Sequence, residues 1–240
     1  MMVARALRRA HRDDRGVSMA ELLVAASVTV IILATLAGFF VAAIKGSASN
    51  ASADTNIRQA TNAINAMSRY LRAATTRDVP SSLVPDSAIV KATPTDLTFY
   101  AYINLIEDPD IAKRTAERPV LARYFVDPTS RQLVQQLSAC GADANGYYSC
   151  PSVTSTTRLG GPIASPTSDK VPLFTYQGAG GEKDQLAVAD DGQLSATQRT
   201  AVRFVTVNLE LGSATAGAGS NAHLQNMVGL LNLGRAGATP

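Results

Sequence analysis

The 240-residue sequence is poor in the groups that catalysis uses. Beyond the first sixteen residues it holds a single histidine, His223, inside a predicted strand. A Ser/His/Asp or Cys/His arrangement would have to form around that one side chain. The patterns G-x-x-x-x-G-K-S/T, H-E-x-x-H and G-x-S-x-G are absent, which removes the phosphate-loop, zincin and hydrolase readings that rest on them. The Gly-rich stretch GAGGEKDQ (178–185) lacks the apolar helix a phosphate loop needs and reads as a hairpin loop. Glu182, Asp184, Asp190 and Asp191 do not fit the calcium-loop spacing and read as a solvated turn. There are only two cysteines, Cys140 and Cys150, and with His223 alone in reserve they lack the ligands of a metal site. The expectation is a chain that is not an enzyme and has no metal and no cofactor.

Net charge is also missing from most of the chain. The formal charge of +3 lies wholly in residues 1–16, where Arg5, Arg8, Arg9, Arg12 and Arg15 face Asp13 and Asp14. The remainder is formally neutral, so it offers no overall electrostatic reason to bind nucleic acid. A basic head of this kind suits a segment held on the cytoplasmic side of a membrane.

From Leu22 to Ile44 neither a charge nor a proline interrupts the 23 residues LLVAASVTVIILATLAGFFVAAI. A helix of that length spans about 34 Å, against about 30 Å of hydrocarbon. Glu21 sits at its start, and an unpaired carboxylate at bilayer depth costs about 2.5 to 3.5 kcal/mol on insertion scales. Four readings compete. A buried helix of a soluble domain would be shorter and carry polar interruptions. A secretory signal peptide would have a shorter apolar region and an A-x-A-like site after it. An ordinary single-span anchor would let Glu21 reach the headgroups. Cleavage after Gly16 would create an amine at Val17, four residues and about 6 Å along the axis from Glu21. Only the last supplies the carboxylate with a counter-charge, at a helix start where the macrodipole already favours an anion.

The residues Gly16-Val17-Ser18-Met19-Ala20-Glu21-Leu22-Leu23-Val24 resemble the class III signal of type IV prepilins and of the pseudopilins of type II secretion. That signal has a short basic leader, Gly before the cut, an apolar residue after it, Glu at the fifth place and about twenty apolar residues beyond. The resemblance implies that a prepilin peptidase cuts between Gly16 and Val17 and methylates the Val17 amine; Val17 stands where Phe is usual. It also implies that Glu21 sets the register of filament assembly through a neighbour's amino terminus. Gly38, the twenty-second residue after the cut, lies near the depth where many pilins carry a helix breaker; a small residue for close helix packing is the alternative.

Past the apolar run, Ile57, Ala60, Ile64, Met67, Leu71 and Ala74 recur at helical spacing and predict one buried face. The small polar residues of 46–56 form a weaker stretch suited to a bend, with Asp54 or Thr55 as a cap for the second half of the helix. Arg58, Arg69 and Arg72 read as solvated. After Pro80 the period becomes two. Strands are expected at 96–105, 120–126, 131–137, 171–177, 199–211 and 223–233, with Asp127-Pro128 turning a hairpin. Cys140 and Cys150 enclose GADANGYYS and are expected to form a disulfide, with Tyr147 and Tyr148 packed over the loop or offering a contact surface.

The expected fold is α+β and pilin-like, a long N-terminal helix packed on a mainly antiparallel β-sheet head. Its parts are a leader at 1–16, a membrane-spanning and filament-core helix at 17–44, an amphipathic half at 45–77 and an extracytoplasmic head at 78–240. The close of the chain is similar to that of J-type minor pseudopilins and PilW-type minor pilins, with Leu231-Asn232 where an Arg-Asn pair is usual. The resemblance implies a minor subunit of a type IV pilus-like or type II secretion filament. Its partners would be other pilin or pseudopilin subunits, a prepilin peptidase, a membrane assembly platform and, before assembly, the lipid bilayer. The chain would first cross the cytoplasmic membrane once and then enter a cell-surface or periplasmic filament. The rival is a single-span, membrane-anchored extracytoplasmic binding domain that never polymerises.

Overall fold

Helix α1 runs from Met19 to Arg72, 54 residues without a break. The computed structural model describes residues 18–79, 82–103, 119–142, 147–164, 172–189, 191–212 and 221–233. The proposed cleavage residues Gly16 and Val17, the acidic Asp190 and residues 213–220 lie outside them. The chain divides into two compact units, Met1–Ser49 and Asn50–Pro240.

Two expectations about the helix are corrected. The stretch 46–56 stays helical, and neither Asp54 nor Thr55 caps a second half: Thr55 donates its hydroxyl to the Ala51 carbonyl at 2.9 Å, and Asp54 pairs with Arg58 one turn on. Gly38 lies within the helix, and among the described residues no atom crowds the place where its Cβ would be. The helix stops at Arg72, not 77, because the next residues turn into the sheet: Thr75 N–H donates to the Tyr100 carbonyl, and the Ala73 carbonyl accepts from Tyr102 N–H.

Among the described residues of the second unit ten strands follow before a short helix, β1 (Arg77–Val79), β2 (Ser82–Asp86), β3 (Ile89–Ala92), β4 (Asp96–Tyr102), β5 (Pro119–Val126), β6 (Leu133–Ala139), β7 (Gly141–Ala142), β8 (Tyr148–Ser149), β9 (Ser155–Gly160) and β10 (Phe174–Gln177). Helix α2 (Ala196–Ala201), β11 (Phe204–Leu211) and β12 (Ala222–Gly229) complete it. All the strand pairs are antiparallel, so the α+β class stands. The head is not one sheet, however. Five strands are ordered β3-β4-β5-β6-β9, three more are ordered β10-β11-β12, and β1-β2 and β7-β8 form small ribbons.

The expected strand at 199–211 begins only at Phe204, because Ser195 and Gln198 form a capping box that starts α2. The strand at 223–233 likewise ends at Gly229, and Leu231–Leu233 is a 3-10 turn.

Both larger sheets meet the second half of α1. Ala60, Ala63, Ile64, Met67, Tyr70, Leu71 and Ala74 are buried, whereas Ile57, expected on this face, is 48% exposed. Tyr70 meets Tyr124 of β5 edge-on at 6.3 Å, and Tyr124 stacks on Phe99 of β4 at 6.0 Å. From the three-stranded sheet, Asn226 Nδ2 donates to Ser68 Oγ at 3.0 Å. At Gly160 a Cβ would press on Leu211 at 3.1 Å, with Gln59 of α1 at 3.5 Å, so a small residue there lets β9 approach the helix. Burying a large apolar side chain such as Met67 or Leu71 contributes about 1.5 to 3 kcal/mol, and this face therefore anchors the helix in its own head.

Candidate membrane and assembly helix

The first turn of α1 explains how Glu21 is accommodated. Ser18 caps the helix: its Oγ accepts from Glu21 N–H at 3.1 Å, and Glu21 Oε2 accepts from Ser18 N–H at 3.0 Å. This reciprocal box satisfies two backbone donors that a helix start leaves open. The spacing Ser-x-x-Glu before an apolar run is the sequence signal for such a box. The box uses Oε2 and leaves Oε1 for a further donor.

From Leu22 to Ile44 every side chain is exposed, and none of the apolar window is buried by the rest of the chain. Leu22, Val30, Ile31, Phe39, Phe40 and Ile44 are each more than 60% exposed. A soluble core helix would be covered, so this segment is built for an apolar environment that the chain itself does not provide. Its few hydroxyls are satisfied internally. Ser27 donates to the Leu23 carbonyl and Thr29 to the Ala25 carbonyl, each at 2.8 Å, and Thr35 donates to Ile32 at 2.8 Å. The helix is long and apolar enough to cross a membrane once.

The head contributes a disulfide and a polar cluster. Cys140 and Cys150 are bonded, and the loop they close places the Tyr148 ring edge-on to Tyr102 at 6.5 Å. Tyr147 and Tyr148 are both half-buried, and the ring contact of Tyr148 is made with β4, outside the loop.

Sequence reasoning missed the cluster around Asp96. Its carboxylate is held bidentately by Arg123, Nε to Oδ1 at 3.0 Å and Nη2 to Oδ2 at 2.8 Å, and by Lys91 Nζ at 2.7 Å. Arg123 also lies over the Phe125 ring at 4.2 Å. Burial pushes the Asp96 carboxyl up, but the bonds and charges of Arg123 and Lys91 more than reverse this and hold it below the usual range. The three residues sit on adjacent strands of one face, a proximity that spacing along the chain does not reveal.

The other residues singled out by sequence do not converge. His223 is exposed on β12. The 178–185 stretch folds on itself, with Gly178 N–H donating to the Asp184 carbonyl and Asp184 Oδ2 accepting from Gly180 N–H at 3.2 Å. Among the described residues no three His, Cys, Asp or Glu side chains come together as a metal site would need. Arg69 and Arg72 are exposed, as is Arg58.

No protein-family model matches the chain, and no curated protein matches its sequence.

Proposed function

We propose that this chain is a minor subunit, pilin or pseudopilin, of a type IV pilus-like or type II secretion filament. In this reading it is trimmed after Gly16 by a prepilin peptidase and assembled through its N-terminal helix on a membrane platform. The observation that carries the reading is the bare, uncharged helix 22–44 whose first turn holds one carboxylate, Glu21, four residues after the residue that cleavage would make the terminus. In the membrane the Val17 amine neutralises the free side of that carboxylate. In the filament the amine of the next subunit takes the same place, and methylation leaves its charge intact. The head, tied to the outer half of the helix and closed by a disulfide, stands outside the cytoplasm, where oxidation of Cys140 and Cys150 is favoured.

The test is incorporation. Glu21→Ala should leave cleavage intact and lower the amount of chain recovered in the sheared filament fraction, whereas Glu21→Asp, which keeps the charge, should restore part of it. Equal incorporation of Glu21→Ala and the unaltered chain would reject this role. A chain that stays in the membrane fraction and never enters a filament would support the anchored binding domain instead.

A further inference from the structure

Four strands edge the two larger sheets, and three of them are blunted against pairing. β3 carries a register shift between Ile89 and Lys91 and the lysine itself, and its Ala92 carbonyl already accepts from Leu194 N–H. β9 is register-shifted opposite Leu133 and Val134 and bears an exposed Arg158. Bulges and charges of this kind keep an edge from recruiting another strand. β10 is covered by its own chain, with Phe174 N–H bonded to the Pro94 carbonyl and Leu186 N–H to the Tyr176 carbonyl.

β12 has none of these protections. It pairs with β11 at eight consecutive positions without a shift, and AHLQNMVG contains no Lys, Arg, Asp, Glu or Pro.

The direction of its free groups follows from β11. Asn208 N–H bonds to Leu173, Gly212 N–H bonds to Pro162, and the Glu210 carbonyl accepts from Ala164, so the even-numbered residues of β11 turn away from β12. The odd-numbered ones therefore bond β12, and their partners are Val228, Asn226, Leu224 and Ala222. The N–H and C=O groups of His223, Gln225 and Met227 consequently point to the open edge, where no described residue pairs with them.

We propose that the outer edge of β12 is a strand-addition site that takes an extended, uncharged segment of a neighbouring filament subunit, bonded to the backbone of His223, Gln225 and Met227. The partner class rests on the filament reading above; the open edge does not. Strand addition draws affinity from the backbone and selectivity from alternate side chains. An incoming strand would place apolar residues beside Leu224 and Val228, on the face toward α1, and polar ones beside His223 and Gln225.

The test uses the full chain in detergent micelles with a synthetic peptide copying Phe204–Leu209, FVTVNL, as the probe. Hydrogen exchange at His223, Gln225 and Met227 should slow by about tenfold or more, while Thr156 and Arg158 on β9 stay unchanged. Gln225→Pro should abolish the effect without loss of melting temperature, because that N–H serves no bond within the sheet; Gln225→Lys is the second variant should the first misfold. No slowing, equal slowing on β9, or amides already protected in the free chain would each overturn the site. In producing cells, Gln225→Pro should still be processed at Val17 yet be depleted from the filament fraction by about tenfold. Unchanged incorporation would overturn the choice of partner. An unaltered chain not processed at Val17 would sink the filament reading and that choice with it, with the peptide result still deciding the edge.

Discussion

Replacing Tyr124 by Phe removes one oxygen atom and should cost more than an oxygen suggests. Tyr124 is fully buried, and its ring contacts with Phe99 and Tyr70 survive in phenylalanine. What changes is the hydroxyl, which accepts from Gln135 Nε2 at 2.6 Å. Gln135 is itself buried at 7% exposure, so the amide left behind cannot turn to water. An orphaned buried donor costs about 1 to 3 kcal/mol. For a unit of this size about 2 kcal/mol lowers the melting temperature by about 4 to 8 °C. Gln135→Leu should cost a similar amount from the other side. The double variant, with both polar groups gone, should recover much of the loss, giving a coupling of about 0.5 to 3 kcal/mol. Thermal melts of the full chain in micelles, followed by near-ultraviolet circular dichroism, supply the cycle. Single variants within about 0.5 kcal/mol of the parent and a strictly additive double would refute the claim that the buried Tyr124 hydroxyl and Gln135 amide satisfy one another.

Alkali should unfold the head. Burial raises the Tyr70, Tyr124 and Tyr176 hydroxyls above the ordinary value, so the folded chain keeps protons that the unfolded chain releases. Stability is therefore full below about pH 10 and falls as pH rises beyond it; a 295 nm titration should show the Tyr124 and Tyr176 hydroxyls ionising only with unfolding. Removing the disulfide by Cys140→Ala with Cys150→Ala should cost about 2 to 3 kcal/mol, seen as a fall of about 4 to 12 °C in melting temperature. Met67→Ala should cost about 2 to 5 kcal/mol, whereas Ile57→Ala should stay within about 0.5 kcal/mol; equal costs would contradict the placement of Ile57 outside the core.

The sequence disclosed most where one local rule acts alone. The membrane-length helix follows from 23 uncharged residues. The β5–β6 hairpin follows from Asp127, whose carboxylate accepts from Thr129 N–H at 2.9 Å and Ser130 Oγ at 2.7 Å. The disulfide follows from two cysteines and a short loop. The face of α1 was legible from Ala60 onward, but periodicity could not tell where the head stops covering it, and so Ile57 was misplaced. Alternation marks a strand without naming its neighbours, which is why two sheets were expected as one. The Asp96–Arg123–Lys91 cluster escaped for the same reason, since it exists only once β3, β4 and β5 are paired. The start of α2 was missed for another cause: Ser195 and Gln198 carry a readable cap, overridden by the β-rich run just after it.

Everything proposed for assembly depends on a new amine next to Glu21. The direct measurement is the mass of the N-terminal peptide of the full chain recovered from the membranes of producing cells. The account predicts a peptide that begins at Val17 and is one methyl group heavier than its unmodified residues. A peptide that still begins at Met1 and carries the arginines of the head would contradict it.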